Sequence, residues 1–162
     1  MNKKNALLSV AMLAMGLSFT SCKKTDNPVT VVVPTSTRLA ANLSGANQKP
    51  TSTTSPATGT FTGSLDETTR VLSYTVTYSG FPASSTVAAG HLHRVKPGDA
   101  AGVNGVNPNP EIPFPNLTSP IVGTKTLERQ TLVDSMKNGF YYANIHSSDF
   151  QGGAIRGNVT RQ

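Results

Sequence analysis

Apolar and polar residues alternate along two neighbouring stretches of the chain. The first covers residues 59–65 and the second covers residues 71–78, with Asp66 and Glu67 between them. A period of two places successive side chains on opposite faces of a β-strand. The pattern therefore predicts a β-hairpin with one face on a hydrophobic core and the other face in water.

Four more stretches have strand-like composition and are bounded by Gly, Pro, Ser or Asn. They cover residues 39–46, 88–95, 140–146 and 154–160. One short helix is predicted over residues 129–138, where Leu132, Val133 and Met136 recur at helical spacing and Asn138 precedes a glycine. About six strands with one helix predict an all-β fold, either an antiparallel β-sandwich or a Greek-key barrel.

Residues 97–120 interrupt this pattern with six prolines. A proline removes a backbone donor from a sheet ladder, so the stretch is excluded as a central strand. A connection this long inside a compact domain is either functional or a crossover between parts of a sheet. We expect a crossover.

The amino terminus has the pattern of a lipoprotein signal peptide. Lys3 and Lys4 precede an apolar run over residues 6–17, which is too short to span a bilayer as a helix. The four residues ending at Cys22 resemble a lipobox, in which the cysteine thiol receives a diacylglycerol before cleavage. The alternative is that Cys22, the only cysteine, is a free thiol beside an ordinary cleavage site.

Three segments follow from this interpretation: a signal peptide at 1–21, a lipid-anchored spacer at 22–37 and a β-domain at 38–162. Attached acyl chains would hold the protein on a membrane without a spanning helix. We therefore expect an extracytoplasmic protein of the bacterial cell envelope whose membrane partner is reached through its lipid anchor.

Composition and charge exclude one class of partner. Without Lys3 and Lys4 the chain keeps 12 basic and 8 acidic residues, and the basic residues are scattered from Lys23 to Arg161. Nucleic-acid binding requires clustered positive charge, so we expect none here.

All three histidines of the chain lie in predicted strands. His91 and His93 are two residues apart and share one face, while His146 shares a face with Asn144. If their strands are neighbours, these side chains and Arg156 lie on one polar face. Imidazole is a common ligand of zinc and copper, so the three histidines are candidate metal ligands. The alternative is that they hydrogen-bond Asn144 or loop carbonyls on a wet surface.

Five separated blocks of the chain carry a family resemblance: Leu43–Pro50, Gly90–His93, Gly102–Gly105, Gly139–His146 and Gly152–Gly157. In this order they resemble the chordin-type (CHRD) domain family. The resemblance covers about residues 38–160 and implies an extracellular β-rich module without an established activity in bacteria. The family commonly has Glu at the position of Gln48 and a Gly-Glu pair at the position of Gly153–Ala154, so this chain lacks two carboxylates.

Two functions remain open from the sequence. The first is a binding or scaffold module for another envelope or extracellular protein, with Gln48, Asn144 and Arg156 on its binding face. The second is a zinc- or copper-binding protein that uses His91, His93 and His146. No activated nucleophile or Gly-x-Ser-x-Gly motif is present, so we expect no catalytic residues and no enzyme, and no cofactor other than the zinc or copper of the second function.

Overall fold

The computed structural model describes residues 35–162. The strands are β1 (Ser36–Ser44), β2 (Thr58–Asp66), β3 (Val71–Ser79), β4 (Val87–Arg94), β5 (Pro110–Pro113), β6 (Ile121–Thr126), β7 (Tyr141–Ser147) and β8 (Ile155–Arg161), and the helix is α1 (Gln130–Lys137). The predicted signal peptide, Cys22 and the spacer up to residue 34 lie outside the described residues. Strand β1 begins two residues before the predicted start of the domain.

All eight strands belong to one sheet in the order β5-β4-β7-β8-β1-β2-β3-β6, and every pairing is antiparallel. Ile112 of β5 and Ile121 of β6 lie at the two edges of this sheet but belong to the same hydrophobic core. The sheet therefore curls into a nearly closed barrel. The predicted all-β antiparallel fold with one short helix is confirmed.

The predicted hairpin is formed by β2 and β3, which pair from Thr58 opposite Ser79 to Asp66 opposite Val71. Alternate residues of both strands, such as Phe61 and Val76, are fully buried. The ring of Phe61 stacks on Tyr74 with 5.8 Å between centroids. The period of two in the sequence thus corresponds to the buried side of the sheet.

Helix α1 follows β6 and buries the apolar side chains that predicted it. Leu132, Val133 and Met136 all belong to the hydrophobic core. Gly139 follows the helix with φ +78°, a left-handed conformation that glycine adopts without strain. Within the described part of the chain, no helix has the length and apolarity needed to cross a membrane.

The proline-rich stretch contains β5 and leads into β6, two strands that the sequence pattern did not predict. Proline is tolerated in β5 because this strand lies at the edge of the sheet and pairs only with β4. Residues 114–120 then run from the β5 edge to the β6 edge. The expected crossover is therefore present, and each of its ends is fixed by a short edge strand.

Candidate metal centre

Three neighbouring strands, β4, β7 and β8, carry the candidate residues in adjacent register positions. His91 of β4 pairs with Asn144 of β7, which in turn pairs with Arg156 of β8. One step along the same face, His93 pairs with Tyr142, which pairs with Asn158. The strand adjacency assumed in the sequence analysis is therefore correct.

The three imidazoles converge at this position. One ring nitrogen from each of His91, His93 and His146 lies within 4.8 Å of the others. The Nε2 atoms of His91 and His146 are 3.0 Å apart. The ring centroid of His91 lies 4.4 Å from that of His93 and 4.7 Å from that of His146. These spacings allow one ion to bind three imidazoles after a small movement of the side chains.

A backbone carbonyl fixes the proton of His146. Its Nδ1 lies 2.7 Å from the carbonyl oxygen of Gln151, which can only accept a hydrogen bond. Nδ1 therefore carries the proton, and in the neutral ring Nε2 has a lone pair that faces Nδ2 of Asn144 and Nε2 of His91. Metal-binding histidines use the same arrangement, in which the distal N–H donates to a carbonyl and orients the ring.

His93 repeats this arrangement from the neighbouring strand. Its Nδ1 is 3.3 Å from the carbonyl oxygen of Asn109, so Nδ1–H donates and Nε2 is left with a lone pair. The Nε2 atom is buried and has no hydrogen-bond partner among the described residues. A buried polar atom without a partner is costly, and a bound ion would satisfy it.

Burial keeps two of the imidazoles neutral. Burial, reinforced by the neighbouring histidines, lowers the pKa of His91 to about 4. Burial is also the main cause that lowers the pKa of His93 to about 4, and His146 and Arg156 act in the same direction. Both rings are therefore neutral at neutral pH, with one nitrogen unprotonated, which is the state that a metal ligand requires.

Two amide side chains support His146 from the side opposite Gln151. Gln48 Nε2 donates to Asn144 Oδ1 at 2.6 Å, and Asn144 Nδ2 lies 3.1 Å from His146 Nε2. The pair packs against Gly153, where a Cβ atom would come within 2.5 Å of Gln48 Nε2. The absence of a side chain at Gly153 thus leaves room for these amides.

Arg156 lies on the far side of Tyr142 from His93 and is not a candidate metal ligand. Its Cζ atom lies 3.6 Å from the centre of the Tyr142 ring, and that ring stacks on His93 at 4.8 Å with an interplanar angle of 13°. Tyr142 is therefore held between a cation and an imidazole. Neither of the two ion pairs among the described residues includes Arg156.

The prediction that this face of the sheet is exposed to water is wrong for β4, β7 and β8. His93, Asn144 and Arg156 are 4%, 5% and 1% exposed. The reason is that residues 95–109 fold over strands β4, β7 and β8, so both faces of β7 are covered. This cover could not be predicted from the sequence because Gly, Asn and Pro are also typical of exposed loops.

This covering loop, residues 95–109, contacts the face through alternate backbone carbonyls. Four residues of β4, β7 and β8 donate to or lie against them: Asn158 to Val103, Arg156 to Gly105, Tyr142 to Asn107 and His93 to Asn109. Tyr142 and Asn158 were not singled out from the sequence. Their shared strand face with His93 and Arg156 was the available signal.

Six of the seven proposed site residues lie in or near the histidine cluster. His91, His93 and His146 form the cluster, Gln48 and Asn144 border it, and Arg156 is separated from it by Tyr142. Cys22, the proposed lipidation site, lies outside the described residues. The proposed binding face of Gln48, Asn144 and Arg156 is therefore a buried layer beside the histidines.

Comparisons with known proteins assign the domain to a family. The family model described as the CHRD domain matches residues 39–159. Neither the comparison with curated proteins nor that with solved structures returned a match. The matched region includes all eight strands in whole or in part, together with the histidine cluster. The chain therefore belongs to the CHRD domain family.

Proposed function

We propose that this CHRD domain is a binding module whose ligand is a transition-metal ion, zinc or copper, held by His91, His93 and His146. The observation that carries the proposal is the convergence of three imidazoles within 4.8 Å. The two backbone carbonyls that fix the Nδ1 protons of His93 and His146 support it, because they leave lone pairs within the cluster.

The donor set favours particular metals. All three donors are imidazole nitrogens, and neither a carboxylate nor a thiolate from residues 35–162 belongs to this cluster. Imidazole suits zinc and copper, whereas calcium and magnesium prefer oxygen ligands. Three protein ligands also leave at least one coordination position of the ion open.

Calorimetry on the chelator-treated full-length chain, purified in detergent, tests the proposal. We expect Zn²⁺ or Cu²⁺ to bind with one ion per chain. Substitution of all three histidines by Ala should abolish this binding. Circular dichroism of both proteins checks that the variant keeps its strands. Equal, weak heats from wild type and folded variant would refute metal binding.

Spectroscopy on the copper-loaded protein identifies the ligands. Electron paramagnetic resonance should show coupling of Cu²⁺ to several imidazole nitrogens. Single substitutions of His91, His93 or His146 by Ala should each change this coupling. A spectrum that is the same in all three variants would mean that copper binds elsewhere.

We propose further that the module works on the outer side of a membrane, tethered by a lipid on Cys22. Support comes from the charged start, the short apolar run and the lipobox-like residues before this cysteine. Metabolic labelling with palmitate should mark the wild-type protein. Equal labelling of Cys22→Ser would show that the lipid is attached at another residue.

A scaffold for another envelope or extracellular protein is the second candidate function, and membership of the CHRD family supports it. Cross-linking on intact cells compares the wild type with the triple histidine variant. One defined partner captured equally by both proteins would favour a scaffold that is independent of metal. Loss of the partner in the variant would show that partner binding depends on the histidine site.

A further inference from the structure

A cavity of about 320 Å³ lies beside the histidine cluster, and His93 and His146 form part of its wall. Its volume is at the lower end of the range found for small-molecule sites. The amide side chains of Gln48 and Asn144 also line it, together with Lys49 at its exposed rim. Any ion held by the three histidines would therefore lie next to an accessible space.

The wall of this cavity carries positive charge without a balancing negative charge. Arg156 and Lys49 both line it, whereas no Asp or Glu does. Arg156 is 1% exposed and makes no ion pair with a described residue. A buried guanidinium keeps its charge, and such a charge normally has an anionic partner.

The hydrogen bonds of Arg156 leave part of the guanidinium available. Its Nε and Nη2 atoms donate to Asn158 Oδ1, and Nη2 also donates to the carbonyl of Gly105. Its Nη1 atom has no hydrogen-bond partner among the described residues and is not fully buried. The guanidinium can therefore donate a hydrogen bond to a ligand in the cavity and attract it by its positive charge.

We infer that this cavity binds a small carboxylate or oxyanion that also occupies the open coordination position of the metal. The inference rests on the proposed metal-binding function. A divalent ion on three neutral imidazoles adds two positive charges beside the cavity that Arg156 and Lys49 line. An anion in the cavity would compensate this charge, and the amide N–H groups beside it are suitable donors.

Azide is a suitable probe because its binding to Cu²⁺ produces a charge-transfer band in the near ultraviolet. The full-length chain in detergent is first loaded with copper, and loading is checked by electron paramagnetic resonance. We expect azide to give a saturable band. Formate and phosphate, which do not produce this band, should displace azide in competition.

Three variants locate the anion. Gln48→Glu places a carboxylate in the cavity and should weaken azide binding by about tenfold or more, a free-energy change of about 1.4 kcal/mol. Arg156→Gln should weaken it similarly because it removes the buried charge. Arg161→Gln, an exposed arginine on the same strand, is the matched control and should not change azide binding.

The outcomes separate the two proposals. Failure of the wild type to bind copper overturns both of them. A copper-loaded wild type without an azide band overturns the anion site and leaves the metal site standing. Equal azide affinity in wild type and Gln48→Glu also overturns the anion site. Gln48→Glu decides the question if Arg156→Gln does not fold.

Discussion

The Nε2 atoms of His91 and His146 lie 3.0 Å apart although 55 positions separate these residues along the chain. The carbonyl of Gln151 fixes the proton of His146 on Nδ1, so its Nε2 accepts. His91 must then donate from its own Nε2. If both rings bound a metal through Nε2, both Nε2 atoms would have to be unprotonated, so this hydrogen bond would be replaced by two bonds to the ion.

Metal binding should therefore change the tautomer of only one of these rings. In the chelator-treated protein we expect His91 to carry its proton on Nε2 and His93 and His146 to carry theirs on Nδ1. Binding of Zn²⁺ through Nε2 should move the proton of His91 to Nδ1 and leave the other two unchanged. Two-bond ¹H–¹⁵N spectra distinguish these forms. An Nε2–H form of His146 without metal would contradict the assignment.

The stability of the metal-free protein should fall as the pH falls. The pKa of both His91 and His93 is about 4 in the folded protein, below the ordinary value of 6.5. Between these values the unfolded chain binds protons that the folded chain does not bind. The free energy of unfolding therefore falls as the pH is lowered from about 6.5 to about 4. The buried His93 accounts for at most on the order of 3 kcal/mol of this loss.

Denaturant unfolding at several pH values measures this loss in the chelator-treated protein. The double variant His91→Gln, His93→Gln is the control, because it keeps the carboxylates that also titrate in this range. We expect the wild type to lose more stability than the variant between pH 6.5 and pH 4. Parallel pH profiles would show that these histidines are not buried in their neutral form.

The two glycines before β8 should respond differently to substitution by Ala. Gly153 has φ +124°, and a Cβ atom there would clash with the amides of Gln48 and Asn144. A Cβ atom at Gly152 would meet no other atom of the described residues within 4 Å. We expect Gly153→Ala to lower the free energy of unfolding by about 1–3 kcal/mol and Gly152→Ala to change it little. Thermal unfolding of both variants measures the difference, and equal melting temperatures would disprove the close packing.

Arg70, in the turn between β2 and β3, offers a stabilising substitution. It has φ 59° and is the one described residue other than glycine with a positive φ. Arg70→Gly should raise the free energy of unfolding by up to about 1 kcal/mol because it removes this backbone strain. Thr69→Gly is the matched control and should lower stability. Chemical denaturation checks both, and a less stable Arg70→Gly protein would contradict the prediction.

The sequence predicted the strands that alternate and the helix that ends at a glycine, because local periodicity reports which face is buried. It did not predict β5 or β6. Strand β5 is four residues long and begins and ends with proline, so neither its length nor its composition resembles an ordinary strand. Strand β6 is short and mostly exposed. Edge strands of this kind form because a neighbouring strand pairs with them, and the local sequence does not show that pairing.

The candidate site was predictable in part for the same reason. The spacing of His91 and His93 placed both rings on one face, and His146 could be assigned to a face by the same count. Their convergence depended on the neighbouring positions of β4 and β7, which the sequence alone did not determine. The carbonyl partners of His93 and His146 could not be predicted, because every residue has a carbonyl and only the folded loops select among them.

The covering loop holds the buried layer mainly with its main chain. It contacts the buried layer through the main-chain oxygens of Val103, Gly105, Asn107 and Asn109. Those contacts depend on the path of the backbone more than on the side chains that it carries. Substitutions at the exposed positions of this loop, such as Lys96 and Ala100, should therefore leave the surroundings of the histidines unchanged as long as the backbone keeps its path.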